Sequence, residues 1–249
     1  MPRTPIELQF ADETLASLYD TFHPLTPRDD FNFYLPLVMG AASVLDIGCG
    51  TGALLSWARS AGHPGRLCGL DPAEGMLKQA RRHAGVEWVL GDTSSVHWNG
   101  EFDLAIMTGH AFQQLITDEE IRSTLAEIRS ALRDGGRFVF ETRNPLARAW
   151  ERWPEEYTSE IVDSAGVPVR RESALVTPVE GDVVHATATF TSPAWKDKRV
   201  SRGSLRFVSA DNLAGFLTDA KLTIVDQFGD WDRSALTDAS PEIITIARK

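Results

Sequence analysis

The chain has 249 residues, of which 43% are hydrophobic, and its formal net charge is −10. Because no stretch rich in lysine or arginine offsets this acidity, the composition argues against a nucleic-acid partner. The length suits one well-buried core with an elaboration.

The cysteines and the apolar runs exclude further classes of protein. Cys49 and Cys68 have neither the spacing of metal ligands nor the pattern of a disulfide framework, so we expect no metal site. No apolar run approaches the roughly 18 residues of a membrane span, and the first residues lack the apolar core of a signal peptide. We therefore expect a cytoplasmic protein with no membrane partner.

Two helical segments precede the first strand. Apolar spacing predicts a helix over residues 11–19 and a second over 29–38, interrupted or kinked at Pro36. Neither belongs to a strand–helix repeat, so residues 1–40 are expected to form a helical cap over the ligand-binding edge of a sheet. Tyr19 is the cap residue that we expect beside a ligand, with packing in the core as the alternative.

Residues 43–52 read SVLDIGCGTG, and the rest of the chain is organised around them. A short apolar run rich in β-branched residues predicts a strand buried on both faces. Gly48, Gly50 and Gly52 then alternate with other residues before a helix begins. Such a turn leaves unpaired backbone N–H groups beside a gap that no Cβ fills, which suits the polar part of a nucleotide-like ligand.

Asp46 distinguishes between the possible ligands. The glycine spacing alone also fits a dinucleotide-binding turn. A carboxylate would repel a pyrophosphate but would favour a ligand that brings an ammonium group. S-adenosylmethionine (SAM) has an amino-acid tail, a sulfonium and no phosphate. The alternative is a tight turn with a structural aspartate.

Strand and helix signals alternate from residue 43 onward. This alternation predicts an α/β fold with a doubly wound, mostly parallel sheet and helices on both faces. A capping box at residues 117–120 begins the helix before the fifth strand, and Gly135-Gly136 is expected to end it. The first five strands are predicted at residues 43–47, 66–70, 86–90, 102–107 and 137–141.

The pattern changes between residues 157 and 207. Polar and apolar residues alternate with a period of two, which predicts an antiparallel sheet with one exposed face, inserted after strand five. A helix over 209–220 and strands over 222–228 and 243–248 resume the main fold.

Acidic residues follow the second and third strands, at the edge where open α/β sheets bind ligands. Asp71 ends strand two, where a carboxylate can accept hydrogen bonds from both ribose hydroxyls. Asp92 and Thr93 end strand three, where a carboxylate can accept one from an adenine amino group. Each aspartate alone could be a helix cap or a turn residue.

In these motifs the chain resembles the class I SAM-dependent methyltransferases, of the small-molecule, methyltransferase domain 25-like type. The motifs are VLDIGCGTG, GLDPAEGML, GDTSSV, FDLAIMTGHAFQQL and LRDGGRFVFET. The resemblance implies the strand order 3-2-1-4-5-7-6, with strand seven antiparallel. It implies a SAM-binding Rossmann-like core over 41–150, an antiparallel insert over 151–208 that acts as a substrate lid, and a closing helix and strands over 209–249.

The resemblance also implies roles for the site residues. The glycine turn and Asp46 would hold the methionine tail, Asp71 the ribose and Asp92 the adenine. Met76 would line the adenine, unless it only packs in the core. Thr93 and Thr108 are further expected cofactor contacts. The insert is similar in architecture to those of small-molecule N- and O-methyltransferases, including amino-sugar enzymes, and gives no substrate.

Two loops are expected to meet the transferred methyl group. After strand four, His110 is the candidate general base, with a loop-shaping role as the alternative, and Gln113 is a candidate substrate contact. After strand five, Glu141 is a second catalytic candidate, and Arg143 either anchors an anionic substrate or pairs with an acid.

Trp150 and Tyr157 are the remaining candidates for substrate contact, and both could instead be structural. We expect a monomer or homodimer that methylates a nitrogen or oxygen of a small molecule and releases S-adenosylhomocysteine. The alternatives are a non-catalytic SAM-binding protein and an NAD(P)-dependent oxidoreductase. Asp46, Asp92 and the lack of a hydride-transfer pair disfavour the oxidoreductase.

Overall fold

The computed structural model describes residues 5–24, 29–179 and 181–249, in which strands and helices alternate. Its helices are α1 (Leu8–Ala11), α2 (Glu13–Ser17), α3 (Tyr19–Phe22), α4 (Asp29–Met39), α5 (Ala53–Ser60), α6 (Glu74–Ala80), α7 (Asp118–Ala131), α8 (Trp153–Glu156) and α9 (Ala210–Asp219). Its strands are β1 (Ser43–Ile47), β2 (Arg66–Asp71), β3 (Glu87–Leu90), β4 (Phe102–Met107), β5 (Leu132–Arg143), β6 (Ser159–Val162), β7 (Pro168–Leu175), β8 (Val183–Thr191), β9 (Arg199–Arg206), β10 (Thr223–Phe228) and β11 (Glu242–Arg248).

The main sheet has seven strands in the order β3-β2-β1-β4-β5-β11-β10. The first five run parallel, and β11 lies antiparallel between β5 and β10. Because β10 and β11 are the sixth and seventh strands of this sheet, the predicted order 3-2-1-4-5-7-6 is confirmed. The carboxyl ends of the parallel strands therefore share one edge with the first residues of β11.

The sheet is covered on both faces, as the apolar runs of its strands predicted. Every residue of β1 is buried, and its successive side chains enter two different clusters. Leu45 packs with Phe138 and Phe140 under α7, whereas Val44 packs with Leu55 of α5. The sheet is thus the middle layer of three.

The insert forms a four-stranded antiparallel sheet in the order β6-β7-β8-β9, which confirms the expected antiparallel elaboration. Its apolar face is buried in two places. Phe190 packs with Leu15 of α2, and Phe207 packs with Trp153 of α8. The insert is therefore held by the N-terminal helices and by the segment that follows β5.

Three local predictions were wrong. The single helix over 11–19 is replaced by short helices, because the Asp12 side chain accepts the Leu15 N–H and begins α2 anew. Helix α4 runs through Pro36, so the predicted interruption is wrong, and a kink there stays a prediction. Helix α7 ends at Ala131 rather than at the glycine pair, which lies inside β5. Residues 1–4 and 25–28 of the proposed cap lie outside the described residues.

Within the described ranges, none of the helices combines the length and apolar character needed to cross a membrane. The same ranges contain no group of three or more His, Cys, Asp or Glu side chains arranged to hold a metal ion.

The contact between the N-terminal segment and α6 depends on a glycine. A Cβ at Gly75 would lie 2.6 Å from the Phe10 carbonyl oxygen and 2.7 Å from that of Ala11, whereas a Cβ at Gly215 in α9 would meet nothing within 4 Å. Alanine favours a helix over glycine by about 1 kcal/mol, so Gly215→Ala should raise the melting temperature. Gly75→Ala should lower it, because the overlap with the backbone outweighs that gain. Thermal unfolding of both variants by circular dichroism tests this, and a rise in both would contradict the close contact.

Candidate functional site

The glycine turn lies at the carboxyl edge of β1. The N–H groups of Gly48 and Cys49 both donate to the carbonyl oxygen of Leu70 on β2, at 2.8 and 3.1 Å. Gly50 has a φ of 56°, and a Cβ there would meet no atom within 4 Å. Gly52 has a φ of 74°, and its Cβ would overlap the ring of a tryptophan on β3. The turn thus packs against the tryptophan at Gly52 and is open at Gly50.

Asp46 is buried in the strand beneath this turn. Its Oδ1 atom has no hydrogen-bond partner in the part of the chain that the structure describes. Burial, together with the nearby charges of Asp71 and Glu141, raises the pKa of Asp46 to about 8. A buried acceptor without a donor calls for an explanation, and a bound cation supplies one.

Asp71 joins the turn to the following helix. One carboxylate oxygen accepts the N–H of Gly50 and the other that of Ala73, both at 2.8 Å. Burial raises the pKa of Asp71 to about 6, and these two hydrogen bonds oppose the shift. Each oxygen keeps further capacity to accept a hydroxyl, which agrees with the role proposed from the sequence.

The other predicted cofactor contacts differ in accessibility. Met76 is 2% exposed and packs with Tyr19 on the side of α6 that faces the N-terminal helices. Asp92 accepts hydrogen bonds from the N–H and hydroxyl of Ser94, which fixes its turn. Thr93 is buried against Thr124, so its hydroxyl points into the protein.

One contact at the turn was missed by the sequence reasoning. The Thr51 hydroxyl donates to a carboxylate oxygen of Asp20 at 2.8 Å, which joins the glycine turn to α3. No local pattern distinguishes Asp20 from a solvated acid, because its partner is 31 residues away in sequence.

The loop after β4 is in contact with the glycine turn and is held by Glu141. A Cβ at Gly48 would lie 2.8 Å from that of Ala111, whose N–H donates to the carbonyl oxygen of Thr108 at 3.3 Å. The buried Glu141 carboxylate accepts the Tyr34 hydroxyl on one oxygen and the backbone N–H of His110 on the other, the latter at 2.8 Å. Burial raises the pKa of Glu141. Because Glu141 is completely buried and bonds to the backbone of the loop, it is in a position to orient His110, and its catalytic role stays a prediction.

His110 adopts a left-handed backbone conformation, with φ of 63°. Its Nε2 lies 3.0 and 3.1 Å from the two carboxylate oxygens of Glu242, and the two side chains are 18% and 12% exposed. Burial raises the pKa of Glu242 to about 8, although the charge of Arg143 opposes this shift. A non-glycine residue with positive φ is uncommon and is often found at functional sites.

Glu242 was also missed by the sequence reasoning. It is the first residue of β11, and an antiparallel strand begins at the edge where its parallel neighbours end. The predicted strand order contained this information, but the sequence reasoning examined only the ends of the parallel strands.

Three of the four predicted substrate contacts lie together. The buried Gln113 accepts a hydrogen bond from Arg143 at 2.9 Å and donates to the Arg206 carbonyl oxygen at 3.1 Å. Arg143 also donates to the Tyr157 hydroxyl at 3.3 Å. Trp150 instead packs edge-to-face on Phe207, with ring centroids 4.5 Å apart, beside the buried Trp153 and Val184.

Residues 44–136 match the family model described as a methyltransferase domain. The chain is 26% identical over 130 residues to a malonyl-[acyl-carrier protein] O-methyltransferase of Anoxybacillus flavithermus, a match that covers 51% of this chain. The chain spans about half the length of the first curated relatives that it matches, 49% of this enzyme and 58% of the next.

Solved structures share the whole fold. The CcbJ methyltransferase from Streptomyces caelestis superposes with a TM-score of 0.72 at 19% identity, over 90% of this chain and 97% of that one. A SAM-bound amino pentose methyltransferase from Micromonospora echinaspora superposes with a TM-score of 0.68 at 23% identity, over 93% and 96%. These likenesses show the fold of the class I methyltransferases.

The raised pKa of Asp46 predicts how the stability of the ligand-free protein depends on pH. The pKa of this carboxyl group is near 8 in the folded protein and about 3.9 in the unfolded chain, so the folded state keeps the proton to a higher pH. The unfolding free energy should therefore fall as pH rises from about 4 to 8. Asp46→Asn should remove much of this slope, as measured by urea denaturation at pH 5, 6.5 and 8. Equal slopes in the two proteins would show that Asp46 is ionised throughout.

Proposed function

Because residues 44–136 match the methyltransferase domain family, we propose that this protein is a class I enzyme that moves a methyl group from SAM to a nitrogen or oxygen of a small molecule. The product would be S-adenosylhomocysteine. The family match favours this function over the nicotinamide-dependent alternative. A cytoplasmic location and a monomeric or homodimeric state remain predictions.

The observation that carries the proposal is the unpaired Oδ1 of Asp46, buried beneath the open centre of the glycine turn. An α-ammonium group would supply the missing donor and the opposite charge. Asp71 would hold the ribose. Met76 lies in α6, the helix that follows Asp71, and packs with Tyr19. The residues present therefore fit SAM.

The chemistry asks little of the protein beyond alignment. The sulfonium of SAM makes its methyl carbon electrophilic, so the protein has to align the acceptor and exclude water. A hydroxyl or ammonium acceptor must also lose a proton. The His110–Glu242 pair is suited to accept it when Glu242 is ionised, because a carboxylate that accepts from Nε2–H favours the tautomer in which Nδ1 is the basic nitrogen. Glu141 would hold the backbone of His110 in place.

The likeness to an amino pentose methyltransferase supports an amine acceptor on a small polar molecule. A screen of small amines and alcohols, scored by release of S-adenosylhomocysteine, would identify an acceptor. Tight SAM binding without release on any acceptor would favour a non-catalytic SAM-binding protein instead.

Asp71→Ala should weaken SAM binding about tenfold or more, because charge-assisted hydrogen bonds each contribute about 1.5–3 kcal/mol. The variant should also melt earlier, since Asp71 accepts two backbone N–H groups. Asp103→Ala is the matched control, because Asp103 accepts from Ser43 and Arg133 at the start of β4, on the opposite edge of the sheet. Calorimetric titration of both with SAM tests the assignment. Equal affinities would remove Asp71 from the cofactor site.

His110→Gln should lower turnover by about a hundredfold or more, the usual contribution of a general base. SAM affinity should stay within about twofold, because the variant leaves Asp46 and Asp71 in place. In the unaltered enzyme, turnover should fall at acid pH as the His110–Glu242 pair takes up a proton. Steady-state rates between pH 5.5 and 9, at saturating SAM and acceptor, test this.

Glu242→Gln separates positioning from proton transfer. It keeps a hydrogen-bonding group beside His110 but removes the charge that stabilises an imidazolium, so turnover should fall less than in His110→Gln and the acid limb of the pH profile should shift. Full turnover with an unchanged profile in His110→Gln would show that alignment alone performs the reaction.

A further inference from the structure

Arg171 is a charged side chain buried in the insert. Only 9% of the residue is exposed, whereas the side chain of the preceding Arg170 is 52% exposed and forms an ion pair with Glu172. Successive residues of β7 point to opposite faces of the sheet, which explains the difference. Arg171 thus lies on the face that packs against the N-terminal helices.

The contacts of Arg171 include no carboxylate at ion-pair distance. One terminal nitrogen lies 2.9 Å from Nε2 of His23, and the guanidinium carbon lies 5.2 Å from the Tyr157 ring centroid and 5.9 Å from that of Phe190. The Nε atom is buried and has no hydrogen-bond partner, and within residues 5–24, 29–179 and 181–249 no carboxylate forms an ion pair with Arg171. Glu7 is the acid that acts on it through space.

A buried guanidinium in these surroundings lowers the stability of the folded protein unless a bound group supplies the missing charge and acceptor. Burial lowers the pKa of Arg171, yet a guanidinium keeps its proton in proteins. A buried charge that lacks an opposite charge or a full set of acceptors destabilises the fold. An anion would supply both the charge and the acceptor that Nε lacks.

A second arginine converges on the same tyrosine. Arg143 bonds to two neutral groups, the Gln113 side chain and the Tyr157 hydroxyl, and its guanidinium carbon lies 5.3 Å from the Trp153 ring centroid. It too forms no ion pair with a carboxylate in the described ranges. Tyr157 therefore bonds to one arginine through its hydroxyl and stacks beneath the other.

Contacts connect Arg171 to the cofactor residues and Arg143 to the strand that holds the proposed base. His23, the partner of Arg171, stacks on Tyr19 with ring centroids 4.3 Å apart, and Tyr19 packs beside Met76. Arg143 follows Glu141, which holds the backbone of His110, by two residues on β5. A molecule that reaches both arginines would lie across the edge where methyl transfer is proposed.

We propose that Arg171 and Arg143 bind an anionic group, a carboxylate or a phosphate, of the methyl acceptor. That the anion belongs to a methyl acceptor rests on the proposed function, whereas anion binding by the two arginines does not depend on turnover. The acceptor class is then a small molecule that carries a negative group a short distance from its amine or hydroxyl.

The test is calorimetric titration of the protein, loaded with S-adenosylhomocysteine, with inorganic phosphate and separately with acetate. The unaltered protein should bind one of these probes, and the preferred probe identifies the group on the acceptor. Arg171→Gln should weaken that binding about tenfold or more, the loss expected for a charge-assisted hydrogen bond. The control Arg170→Gln should change it less than about twofold. Failure of the unaltered protein to bind either probe, or equal binding by the two variants, would overturn the proposal.

Two further variants keep the test decisive. If Arg171→Gln does not fold, Arg171→Lys replaces it. This variant retains the charge but not the planar guanidinium, so it should bind the probe more weakly than the unaltered protein does. Unchanged SAM affinity in each variant would show that the core is intact. His110→Gln should bind the probe normally while turnover is lost. Probe binding without methyl transfer to any acceptor would contradict the proposed function and leave the anion site standing.

Discussion

The arrangement of this site depends on one buried carboxylate, that of Glu141. It accepts hydrogen bonds from Tyr34 in helix α4 and from the backbone of His110 after strand β4, so three separate elements meet at one side chain. A fully buried acid is stable only when its oxygens are satisfied, and here both are. The same bonds stabilise the left-handed conformation of His110, which directs its imidazole toward Glu242. Removing Tyr34 would therefore disturb the proposed base without touching it.

Charge is distributed unevenly across the ligand-binding edge. On the side of the main sheet, Asp46, Asp71 and Glu141 lie close enough for the charges of the other two to raise the pKa of Asp46. Toward the insert, Arg143 at the end of β5 and Arg171 in β7 form no ion pair with a carboxylate of the described residues. A cationic methyl donor complements the first group and an anionic acceptor complements the second. The overall charge of −10 gives no indication of this local separation.

The sequence contained the main sheet and the cofactor side of the site because both follow from local patterns. Asp46, the glycine turn and Asp71 lie within one strand–turn–helix–strand unit, where spacing alone fixes which groups meet. Glu242 and Arg171 could not be found in this way, since their partners, His110 and His23, are 132 and 148 residues away. The function of the acceptor side depends on how the insert packs, and period-two alternation predicts strands without predicting what faces them.

The position of the N-terminal helices on α6 follows from packing more than from surface charge. Lys78 and Glu13 form an ion pair between α6 and the N-terminal helices, but their side chains are 52% and 61% exposed, so the pair contributes little. The close approach of the N-terminal backbone to Gly75 leaves no room for a Cβ, which sets the distance between that segment and α6 far more strictly. The same segment bonds to the insert through the N–H of Gln9 and the hydroxyl of Ser201. The N-terminal helices thus connect the cofactor residues with the acceptor residues, and a change at Gly75 would displace both sets.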